Sequence, residues 1–326
     1  MVAAVSTEDG TLRTSSPPEP GRAPAEGWRA DGPILRAALI GDIGGHASEL
    51  DAVLVDLGCD TTTGTVPTGL LVIQLGDLVD RGPDSAAAVR LADRFIRHSP
   101  GRYLQLLGNH EGQRFTDLHL RHAGPLPQET LDTIHRWWTT RRAHLAVALD
   151  TKEFGPLLVT HAGLSPQMWR GLGAPGTAEQ AAERIDAWVG HDAHRAFTPA
   201  PQGVGGAFHP GVTWGEPADL YADWLAEEDP PPFGQVHGHA SAWSWKRRRW
   251  RKRTPDAVRA AAVTVDVDRC HVQLRIHGRA FVGIDPGHLE EPRRPWAPLY
   301  LTITPESSEP AHDGHWDAHA AGPTDQ

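Results

Sequence analysis

Four short strings follow one another in the chain: Gly41-Asp42-Ile43-Gly44-Gly45-His46, Gly76-Asp77-Leu78-Val79-Asp80-Arg81-Gly82, Gly108-Asn109-His110-Glu111 and His161-Ala162-Gly163-Leu164, with Gly238-His239 after them. Each places a carboxylate, an amide or an imidazole directly behind an apolar run. Side chains of these types at successive strand ends can converge on a pair of divalent cations, and two cations are one way to hydrolyse a phosphate ester. Asp and Asn also cap helices well after a strand, but capping would not call for the intervening Asp80-Arg81 and His110-Glu111.

The elements that must position these residues are legible as short apolar runs. Ile34 to Ile40, Leu70 to Leu75 and Tyr103 to Leu107 read as buried strands, and the first two are followed by helical stretches at 46–57 and 85–98. Strand, ligand loop and helix in alternation predict a mainly parallel sheet with helices on its faces, in which ligands gather at the carboxyl ends of the strands. Residues 128–149 carry Ile134, Trp137, Trp138 and Leu145 at helical spacing, Pro156 to Thr160 reads as a strand running into His161, and 178–189 as an amphipathic helix. The glycine- and proline-rich stretch 199–217 reads as loop. Phe233 to Val236 leads into His237-Gly238-His239, segments 262–266 and 271–276 alternate like a hairpin, and 281–284 and 299–303 close the series.

The chain has 326 residues and a formal net charge of −10, a balance that argues against general affinity for nucleic acid. One domain over 34–305 is expected, with residues 1–33 and 306–326 too poor in apolar side chains to order themselves. The start lacks a cationic, apolar leader, and no run approaches the roughly 20 apolar residues of a membrane span, so a soluble, cytoplasmic protein without membrane partners is expected. Its two cysteines, Cys59 and Cys270, are expected as reduced thiols.

The order of the five motifs resembles the calcineurin-like metallophosphoesterases and, within them, the phosphoprotein phosphatase (PPP) type, from about Leu35 to Ile303. The resemblance implies an α/β fold built on a central β-sandwich of mixed sheets flanked by helices, and a hydrolase acting on a phosphorylated substrate with two divalent metal ions. Asp77 would bridge the metals, Asp42 would ligate the first, and Asn109, His161 and His239 the second. This mixture of oxygen and imidazole donors suits Mn and Fe first, with Zn as an alternative. His110 would serve as general acid, Asp80 would orient it, and Arg81 would grip the phosphate, so that Arg81, Asn109 and His110 all face substrate. Water acidified by the two cations would attack phosphorus directly, with no covalent phosphoenzyme. A phosphoprotein, a dinucleoside polyphosphate or a small phosphorylated metabolite would each satisfy such a site.

One departure stands out. The usual first motif is Asp-x-His, and here Gly44 occupies the place of that histidine. His46 could reach in as a substitute ligand, water could complete the shell, or the first metal could be lost. The last possibility leaves a catalytically weakened phosphate- or nucleotide-binding protein as an alternative function. A second alternative, a nuclease binding nucleic acid, rests on Lys246 to Arg253, which holds seven basic residues in eight, with Trp243, Trp245 and Trp250 available for stacking.

Overall fold

The structure is a computed structural model that describes residues 33–116, 124–197, 211–229, 232–287 and 296–304, together with the backbone of 3–4, 200–201 and 208–209. The apolar runs that read as buried strands are strands: β2 (Arg36–Ile40), β3 (Leu70–Gln74) and β4 (Tyr103–Gln105) lie side by side and parallel. They are joined by α1 (Ala47–Asp56) and α2 (Ser85–His98), and Asp84 caps α2 by accepting from the Ala87 N–H at 2.8 Å. β15 (Leu299–Thr302) pairs antiparallel with β2 and completes a four-stranded sheet in the order β15-β2-β3-β4.

The second sheet has seven strands in the order β1-β5-β6-β9-β14-β13-β12. They are β1 (Ala3–Ala4), β5 (Ala146–Thr151), β6 (Gly155–Thr160), β9 (Gly234–His237), β12 (Ala262–Asp266), β13 (His271–Ile276) and β14 (Arg279–Gly283). β6, β9 and β14 run parallel, whereas β5–β6 and the β12–β13–β14 meander are antiparallel. The single parallel sheet expected from the strand and helix alternation is therefore two mixed sheets. Crossover helices join β2, β3 and β4, hairpins supply β5–β6 and β12–β13–β14, and β15 returns from late in the chain to pair with β2.

The two sheets pack face to face. Along β2, Ala37 and Leu39 point into the sandwich with Leu71, Ile73, Val147, Leu157, Val159, Val236 and Val282. The alternate residues Ala38 and Ile40 face outward to a helical layer. Both faces are buried, which is why β2 and β3 read as continuous apolar runs rather than alternating ones. That layer holds α1, α2, α4 (Gln128–Thr139) and α6 (Ala178–Asp186), contributing Leu50, Phe95, Trp137 and Ile185. α8 (Pro217–Ala226) and α9 (Asp256–Ala260) cover the far end of the larger sheet through Leu220, Trp224 and Val258.

Short elements fill the connections: α3 (Asn109–Gly112), α5 (Pro166–Gly171), α7 (Ala193–Phe197), and the ribbons β7 (Ala200–Pro201) with β8 (Phe208–His209) and β10 (Trp243–Ser244) with β11 (Arg249–Trp250). The helical reading of 128–149 fails beyond Thr139. Arg141 adopts φ 54, the Arg142 N–H turns back to the Trp137 carbonyl, and the apolar run that follows pairs with β6 as β5. Helix α8 breaks out of the end of the stretch expected as loop, with Pro217 in its first turn, a position where the missing N–H costs nothing. Residues 1–2, 5–32 and 306–326, for which disorder was expected, lie outside the described residues, as does 305, whereas Ala3–Ala4 of that leading segment pair with β5. Among the described residues no helix is long and apolar enough to cross a membrane, and both cysteines are buried and outside any disulfide.

Candidate metal centre

The carboxyl ends of β2, β3 and β4 in one sheet and of β6, β9 and β14 in the other meet along one rim. Backbone hydrogen bonds lace the loops together there: the Ile43 and Gly44 N–H groups donate to the Asp77 carbonyl at 3.0 and 2.7 Å, and the Gly238 N–H donates to the His161 carbonyl at 2.8 Å. Glycine is needed where the loops cross. A Cβ on Gly76 would lie 2.5 Å from the Gly108 nitrogen, and one on Gly108 would collide with Asp77 Oδ1. Asp77, Asp80, Arg81 and His239 all hold positive φ, between 53 and 69. Non-glycine residues accept that strain, about 1 kcal/mol or more each, where surrounding structure forces it.

Asp77, His161 and His239 offer ligand atoms that lie within 4.8 Å of one another. His161 Nδ1 donates to the Leu75 carbonyl at 2.8 Å, and a carbonyl can only accept, so Nε2 carries a bare lone pair. That lone pair faces Asn109 Oδ1 at 3.1 Å, His239 Nδ1 at 3.2 Å and Asp77 Oδ1 at 3.4 Å, and His239 Nδ1 in turn lies 2.9 Å from Asn109 Oδ1. A cation at their common centre would take a lone pair from each, with His239 in the tautomer that leaves Nδ1 bare. Asp77 Oδ2, buried and without a hydrogen-bond partner, is a further such group. Burial pushes His239 down to about 3, helped by His161, and burial likewise lowers His161, so both are neutral imidazoles at pH 7, the form that binds metal. Burial works to raise Asp77, but the histidines around it and the His110 N–H outweigh that and hold it at about 2.

Asp42 joins this group from the other side. Its Oδ1 accepts the His239 backbone N–H at 2.8 Å, and Gly238 leaves the room for it, since a Cβ there would meet the same oxygen. His46 lies at the N-terminus of α1, its ring 5.4 Å from that of Trp296 and its Nδ1 4.0 Å from Glu49.

Beside the ligands, His110 Nδ1 donates to Asp80 Oδ2 at 2.7 Å, while Arg81 Nη2 donates to His110 Nε2 at 3.1 Å. Asp80 also accepts from Gln113 Nε2 at 2.9 Å and Arg114 Nη2 at 2.8 Å, so its carboxylate is fixed before it meets the imidazole. Burial disfavours the His110 cation, but the charges of Asp77 and Asp80 prevail and hold it above the usual histidine value. Arg81 is exposed at the mouth.

Sequence reasoning gave no role to four residues that build the site. Glu111 clamps the second and third loops together, accepting from Asp77, Leu78 and Gly108 N–H groups at 2.8 Å each. Gln113 and Arg114, one turn beyond it, fix Asp80. Asp285 ends an apolar strand as Asp42 and Asp77 do, a signal available in the sequence. The basic run forms the β10–β11 hairpin, whose Lys246 to Arg249 tip is exposed while Trp245 is buried and donates from Nε1 to the Asp285 carbonyl at 2.9 Å.

A sandwich of mixed sheets whose strand ends bring these donors together defines a metallophosphoesterase site. The chain matches the calcineurin-like phosphoesterase family over residues 35–272, and it belongs to that family, which is metal-dependent. Among curated proteins it is 31% identical over 178 residues to the symmetrical bis(5'-nucleosyl)-tetraphosphatase of Pectobacterium carotovorum, covering 51% of this chain and 54% of that protein. It is 31% identical over 78 residues to the asymmetrical bis(5'-nucleosyl)-tetraphosphatase PrpE of Oceanobacillus iheyensis, covering 23% and 30%. The matches thus span about half or less of these relatives. A solved cold-active protein-tyrosine phosphatase of a psychrophilic Shewanella aligns over 83% of this chain and 81% of its own, at 16% identity and a TM-score of 0.45.

Proposed function

We propose that this protein is a metal-dependent phosphatase that hydrolyses a phosphorylated small molecule, with a dinucleoside polyphosphate as the favoured substrate class. The observation that carries the reading is the convergence of His161 Nε2, His239 Nδ1, Asn109 Oδ1 and Asp77 Oδ1 on one point, a donor set that suits a divalent cation. The tetraphosphatase relatives support the substrate class. Asn109, His161, His239 and Asp77 would hold one ion, and Asp77 and Asp42 would contribute to the other. Divalent cations bound there supply Lewis acidity to the phosphoryl group and acidify water, Mn and Fe being the best matches to the donor set.

The chain's own residues do the rest. In the free protein the imidazole of His110 has its proton on Nδ1, toward Asp80, and its Nε2 accepts from Arg81. When a phosphate enters, the planar fork of Arg81 turns to its oxygens. That releases Nε2 to take up a proton and pass it to the leaving oxygen, while Asp80 stabilises the imidazolium.

The test is purified protein loaded in turn with Mn, Fe and Zn and offered p-nitrophenyl phosphate, diadenosine tetraphosphate and a phosphopeptide, with products separated by chromatography. Formation of ADP alone marks symmetrical cleavage, and AMP with ATP asymmetrical cleavage. No turnover with any metal on any substrate defeats the proposal. Gly44 favours a second reading, a binding protein with a crippled first site. One metal per chain and tight nucleotide binding without hydrolysis would select it.

A further inference from the structure

Gly44 removes one donor from the first metal site, and the His46 ring packs 5.4 Å from that of Trp296. A buried carboxylate stands at the end of the neighbouring strand. The end of β14 packs directly on the end of β2: a Cβ on Gly41 would run into the Ile284 carbonyl oxygen and come within 3.3 Å of Pro286 Cδ, and the Ile284 N–H donates to the His237 carbonyl at 2.9 Å. This sets Asp285 beside Asp42. Asp285 is 4% exposed and is held on both sides, its carbonyl by Trp245 Nε1 and its Oδ1 by the Gly287 N–H at 2.9 Å. We propose that Asp285 replaces the missing histidine of the first motif, so that Asp42, Asp77 and Asp285 together hold the first metal ion.

Four observations support the assignment. The three carboxylates are all at least 96% buried, and carboxylates so placed repel one another unless a cation lies between them. The charges of Asp285 and Asp77 both reach Asp42, and that of Asp77 reaches Asp285. Asp77 Oδ1 is engaged with the His110 N–H at 3.0 Å on the side of the second site, whereas its buried Oδ2 has no hydrogen-bond partner. The Oδ1 contact with Gly287 also leaves Asp285 a second oxygen for the ion.

The exchange of imidazole for carboxylate changes the chemistry of that site. A first site built from three carboxylates favours hard ions such as Mn2+ and Mg2+, while the second, with two imidazoles, also suits Fe and Zn. The two positions therefore differ in metal preference.

The inference rests on the metal-dependent reading proposed above, and the experiment separates the two. Chelator-treated full-length protein and its Asp285→Asn variant are titrated with Mn2+ alone by calorimetry, with bound metal measured by elemental analysis and by electron paramagnetic resonance. Wild type is expected to take two ions giving a spin-coupled signal. Asp285→Asn is expected to take one, giving an isolated-ion signal, or to bind the second more than about 100-fold more weakly, beyond the ~10–100-fold typical of an outer-shell partner.

Thermal melts guard against misfolding. Asn keeps the acceptor for Gly287 and removes a buried charge, so the metal-free variant should melt no lower than metal-free wild type, and only the Mn-induced gain should shrink. Two ions at native affinity in Asp285→Asn, or one ion in wild type, overturn the inference while the phosphatase reading stands. No ion bound by wild type overturns both.

Discussion

Gly108→Ala isolates the geometry on which the site depends. The Gly108 backbone has φ −96, open to any residue, so the substitution brings no backbone strain and its effect is purely steric. The new methyl carbon would lie 2.6 Å from the Asp77 nitrogen and 2.8 Å from His161 Cε1, and closer still to Asp77 Oδ1. Reaching ordinary contact at 3.4 Å means opening those two separations by 0.8 and 0.6 Å. Metal sites tolerate errors of about 0.2 Å in ligand distance, so the third loop is displaced three to four times too far.

Overpacking of this kind costs about 1–3 kcal/mol, a loss of roughly 2 °C in Tm per kcal/mol in a domain of this size. The metal deficit should be larger than the stability deficit: most Mn lost on dialysis and turnover of p-nitrophenyl phosphate down by more than about 100-fold. Gly171→Ala is the control, because nothing lies within 4 Å of the Cβ it would add at the end of α5. It should be neutral or stabilising by up to about 1 kcal/mol. A Gly108→Ala protein with native metal content and native turnover would refute the claim that the Asp77, Asn109 and His161 loops are packed to ligand-bond precision.

Asp80→Asn should lower kcat about 10- to 100-fold with little change in KM, because a charge-assisted hydrogen bond to His110 is worth roughly 1.5–3 kcal/mol; an unchanged kcat would show that Asp80 does not support the imidazole. His110→Asn should leave bound metal intact by elemental analysis and slow turnover by roughly 10² to 10⁴, least for substrates with good leaving groups. The metal-free protein should lose stability in acid. Burial lowers His237 from 6.5 to about 4 in the fold, and its neutral ring accepts from the Tyr221 hydroxyl at 2.6 Å. The unfolded chain therefore takes up the proton first. This contribution is complete above pH 6.5 and is lost as pH falls toward 4, about 3 kcal/mol in all. Urea melts at pH 7 and pH 5 should show that slope, and His237→Gln should make it shallower, with His161 and His239 supplying the remainder.

The order of ligand types was readable from the chain because each donor follows a strand, and the end of a buried strand is where the backbone leaves the core and can present a side chain. The parallel β2-β3-β4 unit was readable for a related reason, as its short runs of Leu, Ile and Val cannot be anything but buried. The boundary near Thr139 was not. Local spacing carried the helix on to Leu149, and only pairing with β6, a contact made by tertiary structure, turned the end of that segment into β5.

The same limit applied at the centre itself. Sequence exposed the loss of a donor at Gly44 and, searching nearby, offered His46, which the fold places against Trp296. What brings Asp285 to Asp42 is the crossing of two sheets, with β14 laid against the end of β2 far away in the chain. Spacing along a sequence specifies which groups can bind a metal, but which of them share a pocket follows from how the sheets pack, and that depends on the whole core.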